Sequence, residues 1–147
     1  MGIKMGIRIL LALDDSPVAL RVVDQALALA GALAEAPELH VLHVHPPIPL
    51  DFATRHIPRD DLEAYYREES EAVLKAPLAR LAEAGYPVHT HLRVGPPAET
   101  VQALAQSLDC AYLCIGRHGR SALGEWLLGS VASRLLTQAR VPLILVP

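Results

Sequence analysis

The residues best suited to chemistry lie toward the carboxyl end. Gly116-Arg117-His118-Gly119 is followed by nine residues and then Gly129-Ser130, a G-x2-G-x9-G-S spacing at a predicted strand-to-helix junction. Gly119 and Gly129 bracket a loop whose backbone can approach a polyphosphate closely and adopt positive φ. The N–H groups and dipole at the start of the following helix attract anions. Ser130 adds a hydroxyl donor for a phosphate oxygen. The plainer alternative is a set of turn glycines with Gly129-Ser130 acting only as an N-cap. Near the amino end, Asp14 closes an apolar run, where it could accept from ribose hydroxyls or help hold Mg²⁺. It could equally cap the next helix, the role expected of Asp15.

The phosphate signatures that are missing narrow the mechanism. There is no G-x4-G-K-[ST] and no Gly-Lys pair, which argues against a P-loop NTPase, and no G-x-G-x-x-G follows the first strand. Charge compensation would then fall to a metal ion, Arg117, His118 or Arg120. Hydrolysis needs a positioned water, a base and stabilisation of phosphoryl charge. Only His118 and Asp14 could contribute, and they form no recognisable catalytic pair, so binding is expected. A slow ATPase or phosphotransferase, and a nucleotide-free dimerising scaffold, are the alternatives.

His43 with His45, and His89 with His91, are i, i+2 pairs that share a strand face and could hold Zn²⁺ or Ni²⁺. No Cys or carboxylate stands at a recognised spacing from them, and His43 falls in a strand expected to be buried, so metal binding is the lesser reading. Cys110 and Cys114 would be about 13 Å apart along a strand, beyond the roughly 7 Å Cα separation a disulfide tolerates. They read as small core hydrophobes in a reducing compartment. Tyr65, Tyr66 and Trp126 are assigned no chemistry.

The elements that must position these residues alternate along the chain. Ile7 to Leu13, Leu39 to Val44, Val88 to Val94, Ala111 to Ile115 and Leu143 to Val146 read as strands, with helix-length segments between them. Ser16 is expected to cap the first helix, with Pro17 in its first turn. Asp60 and Glu63 resemble a capping box opening a second helix that Pro77 should kink or interrupt and Gly85 should end. Between them, His45 to Arg59 is a proline-rich loop, either a lid or a stiff connection. The commonest way to wind this β-α order with right-handed crossovers is an open five-stranded parallel sheet of order 3-2-1-4-5, helices on both faces, a Rossmann-like α/β fold. Ligands then bind at the switch point between the first and fourth strands, where Asp14 and Gly116 both lie.

The length of 147 residues fits one domain, and 52% hydrophobic with 20% charged residues excludes a disordered chain. No apolar run approaches the roughly 20 residues of a spanning helix. The apolar stretch Ile9 to Leu13 is shorter than the 7 to about 15 residues of a signal-peptide core. A cytoplasmic protein is expected. The net charge of -3 gives no general attraction to nucleic acid or to an anionic membrane surface.

The segment Ile115 to Val131, IGRHGRSALGEWLLGSV, closely resembles the nucleotide-binding signature of the universal stress protein family. ILLALDDS (Ile9 to Ser16), Leu42-His43-Val44, the Gly95-Pro96-Pro97-Ala98-Glu99 turn and the closing Val141 to Val146 extend the resemblance over the whole chain, residues 1–147, as one domain. The glycine motif resembles that of the family's ATP-binding branch. The resemblance implies ATP as ligand, with or without Mg²⁺, and a stress-response regulatory role. It implies that Ala12 and Asp14 line the adenosine pocket and that the backbone of Val44 recognises adenine. It further implies that Ile115, Gly116 and Gly119 flank the nucleotide while Gly129, Ser130 and Val131 hold the phosphates. Arg117 stands where a small residue is frequent, which adds positive charge beside the phosphates, and Ala12 stands where Pro also occurs. Members commonly form homodimers through the last strand. Leu143 to Val146 is apolar throughout and lies at an open sheet edge in this topology, an independent reason to expect self-pairing.

Overall fold

Ile9, Leu10 and Leu11 are wholly buried. The strand they form, β1 (Arg8–Ala12), has a strand on either side and helices over both faces. A computed structural model describes residues 6–51, 54–118 and 128–147 of the chain. After β1 come α1 (Val18–Ala32), β2 (Glu38–His45), α2 (Arg59–Glu83), β3 (Val88–Val94), α3 (Pro97–Ser107), β4 (Tyr112–Gly116), α4 (Ser130–Gln138) and β5 (Leu143–Val146). The strands form one parallel sheet in the order β3-β2-β1-β4-β5. This is the order expected from the β-α alternation.

Strand alternation divides the core in two. Ile9, Leu11, Leu39 and Val41 pack with Val22, Val23, Leu74 and Leu81 of α1 and α2. Leu10, Leu42, Leu113 and Ile115 pack with Val101, Ala105, Ala132 and Leu135 of α3 and α4. Cys110 and Cys114 are both free and buried, and they belong to these two different faces. β3 is an edge strand, as expected, but its exposure does not alternate with the sequence: Thr90 and Val94 are exposed along with His89 and Arg93, while His91 is half-buried.

Two local expectations are corrected and a third is narrowed. Ser16 does not cap α1: the helix begins at Val18 with Pro17 in the cap position and no side-chain cap bond. The Ser16 N–H is instead donated to Asp14 Oδ1 at 2.9 Å, so the carboxylate ties the turn that precedes the helix. No capping box opens α2. Its cap position is Pro58, which lacks the N–H that a box must satisfy; Asp60 and Asp61 favour the helix dipole from the first turn. Nor does Pro77 interrupt α2, which runs unbroken through it. The lost N–H bond is offset by burial of the ring between Leu74 and Leu81, both fully enclosed. At the end of α2, Gly85 takes φ 82°. Its N–H bonds the Ala82 carbonyl at 3.0 Å and the Tyr86 N–H bonds Leu81 at 3.3 Å, a Schellman closure.

Candidate functional site

Where the chain leaves β1 toward one face and β4 toward the other, their carboxyl ends part. A cleft of about 640 Å³ opens there, within the range of small-molecule sites. Ala12 and Asp14 line it from the end of β1, and Ile115 and Gly116 from the end of β4. Val44 reaches it from β2, and Gly129, Ser130 and Val131 from the start of α4. Gly119 and Arg120 lie outside the described residues.

One end of the cleft is built around α4. Gly129 occupies its cap position with φ -61°, so this glycine uses no positive-φ freedom. No side chain caps the helix, which leaves the first-turn N–H groups of residues 130–132 without intrahelical partners. The Gly129 N–H is donated to the Arg117 carbonyl at 2.8 Å, and the Arg117 N–H to the Val146 carbonyl at 2.7 Å. These two bonds hold the ends of the 117–129 segment together beside β5. Gly116 is a steric requirement: a Cβ there would fall 2.4 Å from Val18 Cγ1. The close packing of α1 on β4 therefore depends on it.

Arg117 turns back on its neighbour. Its guanidinium nitrogens lie 3.1 and 3.0 Å from His118 Nε2. Because arginine only donates, Nε2 is the acceptor and the ring proton sits on Nδ1. That Nδ1 is buried with no hydrogen-bond partner among the described residues, in a residue that lines the cleft. An unanswered buried donor beside a helix N-terminus suits an anionic oxygen.

At the other end of the cleft, β2 supplies a backbone edge. The Leu13 N–H is donated to the Leu42 carbonyl at 2.9 Å, while the Gly95 N–H is donated to the His45 carbonyl at 3.1 Å. Successive residues of a parallel strand direct their N–H and C=O groups to opposite sides. Val44 therefore aims both groups toward the β1 side, just past Ala12↔Leu42, where that ladder stops. The Leu13 carbonyl accepts from His43 Nδ1 at 2.8 Å, so His43 is a buried structural histidine.

Sequence reasoning did not identify Val18, Val22, Val73 or Val101 as cleft walls. Apolar residues on amphipathic helices carry no signal that separates pocket from core. The metal reading is also altered. Among the described residues the potential metal-holding group is Glu38, His40 and His89, with neither proposed i, i+2 pair intact.

Comparison with known proteins agrees with this architecture. Residues 6–147 match the model of the Universal stress protein family. A universal stress protein of Thermus aquaticus is 30% identical over 139 residues, covering 94% of this chain and 96% of the relative. A crystal structure from the same family in Burkholderia pseudomallei is 28% identical, with TM-score 0.72 and 99% coverage of both chains. The universal stress protein of Archaeoglobus fulgidus, solved in complex with dAMP, is 22% identical at TM-score 0.68, covering 99% of this chain and 100% of that one. No helix among the described residues is long and apolar enough to cross a membrane. With its strand order, its switch-point cleft and a family match spanning almost its full length, the chain belongs to the universal stress protein family.

Proposed function

We propose that the chain is a cytoplasmic regulatory module of the stress response that binds ATP in the switch-point cleft. The observation that carries the reading is the pairing of two unlike ends in one cavity. The α4 N-terminus and the unpartnered His118 Nδ1 form an anion-seeking end, and the Val44 edge offers a donor and an acceptor for the rim of a base. In this reading Ala12 and Ile115 enclose the adenosine and Asp14 takes the ribose. Gly116 and Gly119 pass close to the nucleotide, while Gly129, Ser130 and Val131 hold the phosphates. The dAMP bound by the Archaeoglobus fulgidus protein supports the ligand class.

Asp14, Asp15 and Glu69 also line the cleft. Carboxylates facing a polyphosphate favour a bridging cation, so Mg²⁺ accompanies ATP in the proposal, with Asp14 and Asp15 as its oxygen ligands. Bound there, Mg²⁺ would neutralise phosphate charge. Binding, and not turnover, is proposed. His118 Nε2 accepts from Arg117, and Asp14 is assigned to the ribose and the cation, so neither is given the role of a base for water.

Among the described residues, β5 has β4 on one side and no strand on the other. We place a homodimer interface along Leu143 to Val146, where a second copy would satisfy the open edge. The two buried free thiols suit a reducing cytoplasm. No nucleic-acid or membrane partner is proposed.

Calorimetric titration of nucleotide-free protein with ATP and Mg²⁺ tests the central claim, with Gly129→Val as the control. Micromolar or tighter binding that the variant loses is expected; absence of binding in folded, nucleotide-free protein would refute it. Sedimentation showing only monomer at micromolar concentration would remove the dimer.

A further inference from the structure

Toward the amino ends of the strands, the pairing of β2 with β3 gathers three imidazoles, two of them against the Glu38 carboxylate. The register sets His40 against His89 and Leu42 against His91, so all three histidines project from the same sheet face. The His40 ring stacks on both others, with centroids 4.7 Å from His89 and 5.1 Å from His91 and planes within 18° and 19°. Glu38 Oε1 accepts from His40 Nε2 at 2.7 Å and lies 3.7 Å from His89 Nε2.

The burial is graded as a metal site requires. His40 is 4% exposed, whereas the His89 side chain is 59% exposed and gives an entry path. His40 is also braced from behind: its Nδ1 lies 2.8 Å from His91 Nε2. A ring nitrogen held by an outer partner is the arrangement that orients metal-ligating histidines.

We propose that Glu38, His40 and His89 form a binding site for a divalent transition-metal ion, zinc foremost, with His91 as the positioning residue. One ligand atom from each of the three lies within 4.8 Å of the others. Two imidazoles and a carboxylate are a zinc donor set that leaves a fourth tetrahedral position for water. Zinc at about 2.0–2.1 Å from each ligand needs ligand atoms about 3.3 Å apart. The 3.7 Å contact is close to that, and the exposed His89 has room to turn inward. With an ion on Nε2, the His40 ring would carry its proton on Nδ1 and donate it to His91 Nε2, and His91 would in turn carry its own proton on Nδ1. Arg8 opposes the ion: its Nε is 3.3 Å from the same Glu38 oxygen, and its NH1 is fastened to the Leu108 carbonyl at 3.0 Å.

This site is independent of the nucleotide proposal. Glu38, His40 and His89 do not line the cleft; the nearest β2 residue that does, Leu42, is two residues from His40, about 7 Å at the rise of a strand. The test uses untagged full-length protein, stripped with a chelator and desalted, then titrated with zinc chloride against a chromogenic zinc indicator at neutral pH. One ion per chain is expected. Losing an outer-shell partner costs about 10–100-fold in affinity, so losing a ligand in His89→Ala should cost at least about tenfold. Circular dichroism verifies that this exposed substitution leaves the fold intact. Arg8→Ala should tighten binding, and His45→Ala, near the cleft, should leave it unchanged. Cobalt(II) should give a tetrahedral visible absorption that His89→Ala and Glu38→Gln abolish. His91→Ala should alter that spectrum, and His91→Gln should restore it. No zinc bound at micromolar concentration, or equal affinity in wild type and His89→Ala, would overturn the proposal. So would loss in His45→Ala alone, which would place the ion at the other end of the sheet.

Discussion

Gly116→Ala tests the packing that forms the floor of the cleft. The added Cβ meets Val18 Cγ1 at 2.4 Å, Val18 Cγ2 at 3.3 Å and the His118 carbonyl at 3.1 Å. Val18 is 4% exposed and cannot swing out. Overpacking of this kind costs about 1–3 kcal/mol, which lowers Tm by about 2–4 °C per kcal/mol in a domain near this size. Val18→Ala alone removes two buried methyl-sized groups, roughly 2 kcal/mol with the space they leave. In the double variant the clashing methyls are gone and the new Cβ refills part of that space. The loss should therefore fall short of the sum by about 1–3 kcal/mol, the scale of coupling between residues in contact. Urea unfolding of the four proteins, with m values compared, measures this directly. Additivity within about 0.5 kcal/mol would show that the contact between Gly116 and Val18 does not limit residue 116.

Burial pushes the Cys114 thiol up to about 12 and the Cys110 thiol to about 11. At pH 8 the thiolate fraction of Cys114 is about 10⁻⁴, so alkylating reagents should label it only in denaturant. Both folded values lie above the ordinary 9.0; the stability they contribute is thus complete below pH 9 and falls as pH rises beyond it, visible as a declining urea midpoint. Leu74→Ala, at a fully buried position under α2, should cost about 2–5 kcal/mol in the same assay. Arg80→Ala breaks an exposed pair with Asp24 at 3.0 Å and should cost less than about 1 kcal/mol, vanishing in high salt. The Tyr66 hydroxyl accepts the Ile48 N–H at 2.8 Å, so Tyr66→Phe should speed proteolysis within residues 46–58, and Mg²⁺-ATP should slow it if that loop closes over the nucleotide.

Much of the fold was legible in the sequence. Continuous apolar runs such as Ile9 to Leu13 mark strands covered on both faces. Once strands and helices alternate, right-handed crossovers leave few windings, and the switch point follows. The glycine spacing directed attention to the end of β4 and the start of α4. Element starts were less legible. The choice between Ser16 and Pro17, or between Asp60 and Pro58, turns on about a residue of backbone geometry that composition does not carry.

The sequence by itself determined the order of elements, the two-faced core and the neighbourhood of the cleft, because each depends on local periodicity and on general rules of chain winding. Tertiary structure alone decided which groups face one another. The orphaned His118 Nδ1 exists because Arg117 folds back on the ring. The histidine cluster depends on register. Residues two apart on one strand are about 7 Å apart, whereas cross-strand neighbours approach to about 5 Å. His40 therefore faces His89 directly across the pair, and its ring reaches His91, 51 residues away in the chain, on the diagonal.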